Sequence, residues 1–222
     1  MNRLAPALAA ALLLAACQPA FAEGAVPAPA AAVEAREGAG LKTAIFAGGC
    51  YWGVEAVFSH MRGVTSAVSG FHGGTAADAD YEKVSGGGTA HAEAVKVTYD
   101  PRIVRYDQLL QVFFAVVTDP TQRNRQGPDV GAQYRNALVP MNPEQNRVAA
   151  GYLAQLRVMD LWKRPIVTTV EPYRRFYPAA AYHQDFALKN PRHGYIVRWD
   201  APKVAALQRM FPGLWKAGFT TG

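Results

Sequence analysis

A chain of 222 residues can bury one substantial core, and with 50% hydrophobic, 11% aromatic and only 18% charged residues it is neither a disordered polypeptide nor a polytopic membrane protein. The formal net charge is +6, from 23 basic against 17 acidic residues, but the Lys and Arg are scattered, so no nucleic-acid partner is expected. Two cysteines, Cys17 and Cys50, exclude a disulfide-dense scaffold and a zinc site built mainly from thiolates, and no metal or organic cofactor is implied.

Residues 1–22 open with Arg3, continue through an apolar run to Leu14 and end in small residues, the layout of an export signal too short to span as an anchor. Two processing sites compete. Leu14-Ala15-Ala16-Cys17 resembles a bacterial lipobox and is favoured; Ala20-Phe21-Ala22 resembles an ordinary A-x-A site. The first route lipidates Cys17, so that the membrane is met only through a lipid anchor there; the second discards it. An exported protein of the periplasm or cell envelope follows either way. With Gln18 after Cys17, where Asp commonly retains lipoproteins in the inner membrane, the anchored form is expected at the outer membrane. Residues 23–40, rich in Ala, Pro and Gly without periodicity, read as a flexible tether ahead of a catalytic domain over 41–222.

In chain order, residues 43–47 predict a strand stopped by Gly48-Gly49, and helical spacing of Val54, Val57, Phe58 and Met61 then predicts a helix ended by Gly63. Cys50 falls at its first turn. Residues 64–71 read as a second strand before a Gly-rich loop. Over 91–99 the alternation is strict, with Glu93, Val95, Val97 and Tyr99 on one face. Helices are expected over 106–116 and over 143–161, the latter with Asn142 as cap and Pro143 in the first turn, with a strand over 135–139 between them. Short strands and a helix near 201–210 complete the chain. This succession predicts an α+β fold, a two-layer α/β sandwich with a ferredoxin-like core and a long irregular C-terminal segment.

The single thiol left after export needs a chemical reason. Only the thiolate is nucleophilic, and an unperturbed cysteine with a pKa near ~8.5 is a few per cent ionised at neutral pH. A helix N-terminus contributes about 0.3–1 kcal/mol, up to about 2, so Cys50 is expected to be more acidic than a free thiol. Tyr51 and Trp52 beside it suggest an apolar recess that could hold a methyl group. Glu93 shares the apolar face of its strand, where lost hydration raises a carboxyl pKa and makes a proton donor near pH 7. His91, on the same face, reads as a satisfied polar residue. Tyr81 in the Gly-rich stretch, and Asp129 and Tyr134 in a second polar cluster, could hydrogen-bond an oxygen held beside the thiol.

Three blocks occur in order: Gly48-Gly49-Cys50-Tyr51-Trp52-Gly53-Val54-Glu55, then Thr89-Ala90-His91-Ala92-Glu93-Ala94-Val95, then Gln126-Gly127-Pro128-Asp129-Val130-Gly131-Ala132-Gln133-Tyr134-Arg135. Together with Phe176-Tyr177-Pro178 and Tyr182-His183-Gln184-Asp185 they closely resemble the peptide methionine sulfoxide reductases of the A type over residues 41–191. The resemblance implies reduction of the S epimer of methionine sulfoxide, free or in proteins. It makes Cys50 the nucleophile and Glu93 the acid. Tyr81 and Tyr134 would bind the oxygen, Asp129 would organise the site, and Tyr51 and Trp52 would hold the methyl.

Three departures stand out. Position 51 is Tyr where Phe is common, expected to add a hydroxyl at the rim; Ala180-Ala181 replace an acidic pair; and residues 190–222 lack the recycling cysteines that many relatives carry. A monomeric single-cysteine enzyme is therefore expected, its sulfenic acid reduced by an external thioredoxin-like protein, glutaredoxin or small thiol. Two rivals remain at this stage: a cysteine acyl hydrolase pairing Cys50 with His91 or His183, and an envelope lipoprotein with an incidental thiol.

Overall fold

A computed structural model describes residues 25–222, so the expected export signal and both expected processing sites lie outside the described residues. Alternating apolar residues build the strands β1 (Lys42–Gly48), β2 (Val64–His72) and β3 (Ala92–Tyr99), with α1 (Tyr51–Ser59) between β1 and β2 and the short α2 (Tyr81–Ser85) between β2 and β3. Next come α3 (Tyr106–Val112), running on as a wider π-type turn to Val117, and a small hairpin of β4 (Arg125–Gln126) and β5 (Asp129–Val130). β6 (Asn136–Val139), α4 (Pro143–Val158), β7 (Thr169–Val170), β8 (Phe176–Pro178), α5 (Phe186–Lys189) and α6 (Ala201–Met210) follow. The sheet order is β7-β6-β1-β3-β2-β8, antiparallel at every pairing except β6 with β7. Its four central strands with α1 and α3 have the ferredoxin-like arrangement.

Period-two alternation divides the sheet into two faces. Ala44 and Phe46 of β1 and Val95, Val97 and Tyr99 of β3 face the helices, where the Phe46 ring meets Phe58 at 4.7 Å, Phe113 at 5.5 Å and Tyr106 at 6.1 Å. Ile45, Ala47, Ala92, Ala94, Ala137 and Val139 form a smaller cluster on the other face. The expected cap of α4 is present: Asn142 accepts the Gln145 N–H at 2.8 Å, with Pro143 in the first turn.

The helix that begins beside Cys50 is buried on nearly every side, because the chain after 185 closes over its outer surface. Glu55, fully buried on α1, accepts the Asp185 N–H at 3.0 Å, and burial pushes its carboxyl up to about 7. Gln184 both accepts from the Ser69 N–H and donates to the Ser69 carbonyl, at 2.9 Å each, standing in for a strand partner at the edge of β2. The C-terminal segment is thus a fitted cover over the nucleophile's helix.

The described part of the tether corrects the expectation of flexibility. Residues 25–41 lie along α3 and α4, with Ala28 and Ala35 buried. The Val26 N–H donates to Ala115 O at 2.9 Å, Tyr152 donates to Pro29 O at 2.6 Å, and Gln155 both accepts from Ala32 N–H and donates to Ala30 O. Asp107 accepts the Ala35 N–H at 2.9 Å, and Glu37 accepts from the Tyr99 hydroxyl. Most of these bonds join the strap's backbone to side chains of the body. Small residues let that backbone come close, and no side-chain periodicity is needed to encode it.

Candidate active site

The nucleophile's position follows from two glycines. A side chain at Gly48 would meet the Phe113 ring at 2.7 Å, and Gly49 combines a φ of +95° with Gln126 Cβ only 2.5 Å from where a Cβ would stand. The strand can therefore turn tightly into α1 with Cys50 as its N-cap residue. Gly49→Ala combines backbone strain with overpacking and is expected to destabilise the protein by about 2–4 kcal/mol. It should also displace the thiol, so that urea midpoint and sulfoxide turnover fall together; wild-type values for both would contradict this geometry.

Glu93 reaches from β3 to the start of α1, where its Oε2 accepts the Tyr51 N–H at 3.0 Å. It is 2% exposed. Burial is the main reason its carboxyl is pushed up to about 8; the Tyr51 N–H and a hydrogen bond with the Cys50 thiol hold it lower than burial alone would. At neutral pH Glu93 is mostly an acid with a proton to give. Cys50 departs from expectation. Its thiol is raised well above the ordinary range, first by burial and then by the charges of Glu93 and Asp200, with the Trp52 N–H pulling the other way. Burial, able to shift a group by several units, outweighs the helix end, worth about one.

The other expected residues gather here. The phenols of Tyr51, Tyr81 and Tyr134 are all held protonated by burial and by the charges of Glu93 and Cys50, which leaves them as hydrogen-bond donors around the sulfur. Tyr51 is 1% exposed and its hydroxyl is buried with no hydrogen-bond partner among protein atoms, so it lies inside the site and not at the rim. Trp52 stacks on Phe186 at 3.8 Å and 7° and meets the Tyr195 ring edge-on at 5.8 Å. Asp129 accepts a hydrogen bond from the Tyr195 hydroxyl. A cavity of about 510 Å³ opens on Cys50 between Thr118, Gln126, Asp129, Tyr195 and Trp199.

The candidate bases of a hydrolase are both drawn into other hydrogen bonds, His91 through both ring nitrogens and His183 through Nδ1 alone. His91 uses Nδ1 to accept the Gly74 N–H at 3.1 Å and Nε2 to meet Thr75 O at 2.9 Å, which makes it the satisfied polar residue expected. His183 Nδ1 accepts from the Trp52 indole at 3.3 Å, so its ring is a packed wedge between Tyr81 at 4.4 Å and Tyr51 at 5.3 Å. Neither forms a hydrogen bond with Cys50 among the described residues. Among the described residues no three His, Cys, Asp or Glu side chains converge as a metal site requires.

Sequence reasoning missed Tyr195, Asp200, Lys203 and Phe186, which reach the site from the C-terminal cover. One signal was available for Asp200: it stands directly before a helix with Pro202 in its first turn.

A half-buried cysteine at a helix start, set against a protonated carboxylic acid inside a ring of phenols, defines a thiol-dependent oxidoreductase that attacks a polar, oxygen-bearing centre. The family model for peptide methionine sulfoxide reductase matches residues 42–212. Peptide methionine sulfoxide reductase MsrA 2 of Mesorhizobium japonicum is 54% identical over 176 residues, 79% of this chain and 90% of that protein. Among solved structures, Mxr1 of Saccharomyces cerevisiae in reduced form superposes with a TM-score of 0.60 at 31% identity, over 69% of this chain and 87% of that one. Methionine sulfoxide reductase A of Corynebacterium diphtheriae gives 0.59 at 34% identity, over 69% and 77%. The chain belongs to the peptide methionine sulfoxide reductase family, whose members use a thiol to reduce methionine sulfoxide.

Proposed function

We propose that this chain reduces the S epimer of methionine sulfoxide, free or in proteins, with Cys50 as nucleophile and Glu93 as proton donor. The observation that carries the reading is the Glu93–Tyr51 hydrogen bond, which fixes a neutral acid beside the sulfur. The sulfoxide methyl enters the recess of Tyr51 and Trp52, backed by Phe186 and His183. The phenols of Tyr81 and Tyr134 donate to the oxygen, and the pair Asp129–Tyr195 shapes the opposite wall. As Cys50 Sγ bonds to the sulfoxide sulfur, Glu93 protonates the oxygen and recovers a proton from the thiol. The protonated oxygen then passes from the substrate sulfur to Sγ as the Sγ–S bond breaks, so the sulfoxide sulfur gains two electrons, Cys50 loses them, and methionine and a Cys50 sulfenic acid are left.

Recycling then falls to an external reductant, because the mature exported chain holds no second thiol. Two thiols, from a thioredoxin-like protein, a glutaredoxin or a small thiol, return Cys50 and release a disulfide and water. No step draws on a prosthetic group. The enzyme acts as a monomer in the cell envelope. Cleavage before Cys17 leaves it lipid-anchored, with Gln18 favouring the outer membrane; cleavage after Ala22 leaves it in the periplasm, and the mass of the mature N-terminus separates the two.

An epimer-resolved assay with dithiothreitol should consume the S epimer and spare the R epimer, whereas consumption of R alone would end the assignment. After one equivalent of sulfoxide without reductant, a 1,3-dione should trap sulfenic acid on the Cys50 peptide. An internal disulfide in the mature protein would instead exclude external recycling.

A further inference from the structure

Asp200 has no part in the reaction above, yet it is 1% exposed and neither carboxyl oxygen has a hydrogen-bond partner. Among the described residues its counter-charge is Lys203, with Nζ 3.7 Å from Oδ1. The carboxyl presses on the first turn of α1 at Gly53, close enough that a methyl there would overlap Oδ1. α1 thus begins with a positive helix end shared by three acidic groups: the Cys50 sulfur as N-cap, Glu93 on the Tyr51 N–H, and Asp200 against Gly53.

We propose that Asp200 is a positioning residue that competes with the Cys50 sulfur for the positive end of α1 and so holds the resting nucleophile as a thiol. The inference rests on the assignment of Cys50 as nucleophile and adds how that nucleophile is kept from indiscriminate reaction. Three carboxyls face the sulfur from three elements: Glu93 from β3, Asp129 from the β4–β5 hairpin, and Asp200 from the turn into α6. The phenols of Tyr51, Tyr81, Tyr134 and Tyr195 surround it, and the Trp52 N–H opposes the carboxyls. Asp200 in turn faces Lys203 and Asp129, and burial lifts its carboxyl to about 6. The restraint is therefore present above about pH 6, where Asp200 is charged, and fades below it.

Alkylation by iodoacetamide tests this in the full-length protein. The Cys50 thiolate bonds to the methylene carbon as iodide leaves, so the rate reads the thiolate fraction, and quantifying the Cys50 peptide by mass spectrometry keeps Cys17 out of the signal. Asp200→Asn is expected to speed alkylation about 3- to 10-fold between pH 7 and 8, since tenfold corresponds to one pKa unit. The ratio of variant to wild type should fall toward one below about pH 6, where wild-type Asp200 is itself neutral. Gly53→Ala, whose methyl must displace the carboxyl, should shift the profile in the same direction. Thermal melts confirm that each variant is folded. Unchanged or slower alkylation in a folded variant, or an acceleration uniform across pH, overturns the proposal. The nucleophile assignment is decided separately by turnover of Cys50→Ser, so the two ideas can fail independently.

Discussion

Cys50→Ser is expected to abolish sulfoxide reduction, lowering turnover more than about 10⁴-fold. A serine hydroxyl ionises far less readily than a thiol and forms no sulfenic acid, so neither the attack on sulfur nor the intermediate survives. No second thiol stands ready as a substitute: Cys50 is the only cysteine among the described residues. The variant should still bind sulfoxide, because the recess of Tyr51, Trp52 and Phe186 is untouched. Steady-state assays with dithiothreitol and equilibrium binding of the S epimer together make the test. Residual turnover above roughly 1% of wild type would mean that another group performs the attack.

Glu93→Gln should separate activity from stability, with opposite signs. Glutamine cannot release a proton of useful acidity, and the loss of a positioned acid costs about 10²- to 10⁴-fold in the step that forms sulfenic acid. The wild-type single-turnover rate should fall above about pH 8 as Glu93 ionises, and the variant should lack that limb. For stability, the carboxyl titrates near ~4.3 in the unfolded chain and at about 8 when folded. Between those values the folded protein binds the extra proton, so its stability declines by up to about 1.4 kcal/mol per pH unit as pH rises. A non-ionising glutamine escapes this decline. The variant should therefore gain stability relative to wild type between pH 5 and 8, read as a growing difference in urea midpoints. A constant difference would show that Glu93 is already charged in the folded state.

Much of this site was legible in the sequence because short-range rules encode it. Gly48-Gly49 ahead of helical spacing placed Cys50 at a helix start, and alternation with Val95, Val97 and Tyr99 put Glu93 on the helix-facing side of its strand. Other features were not legible, for identifiable reasons. Tyr195 and Asp200 come to Cys50 from about 150 residues downstream, and no local pattern announces which end of a cover segment will land on the site. The acidity of Cys50 came out opposite to expectation, because a helix start is visible in the sequence whereas desolvation beside Glu93 and Asp200 is a property of the assembled fold. The strap over 25–41 escaped because its bonds are made by Tyr152, Gln155, Asp107 and Glu37, and only Glu37 lies within it.

That strap would also set how far an anchored form of the enzyme could roam. Ala25, at its start, lines the same cleft that opens on Cys50. In the lipidated form only eight peptide steps separate Cys17 from Ala25, at most about 26–29 Å when fully stretched. A free strap would lengthen that leash about threefold. With the strap pinned, lipidation at Cys17 would confine the cleft to a thin shell beside the bilayer, and oxidised clients farther away would have to diffuse to the surface to be repaired.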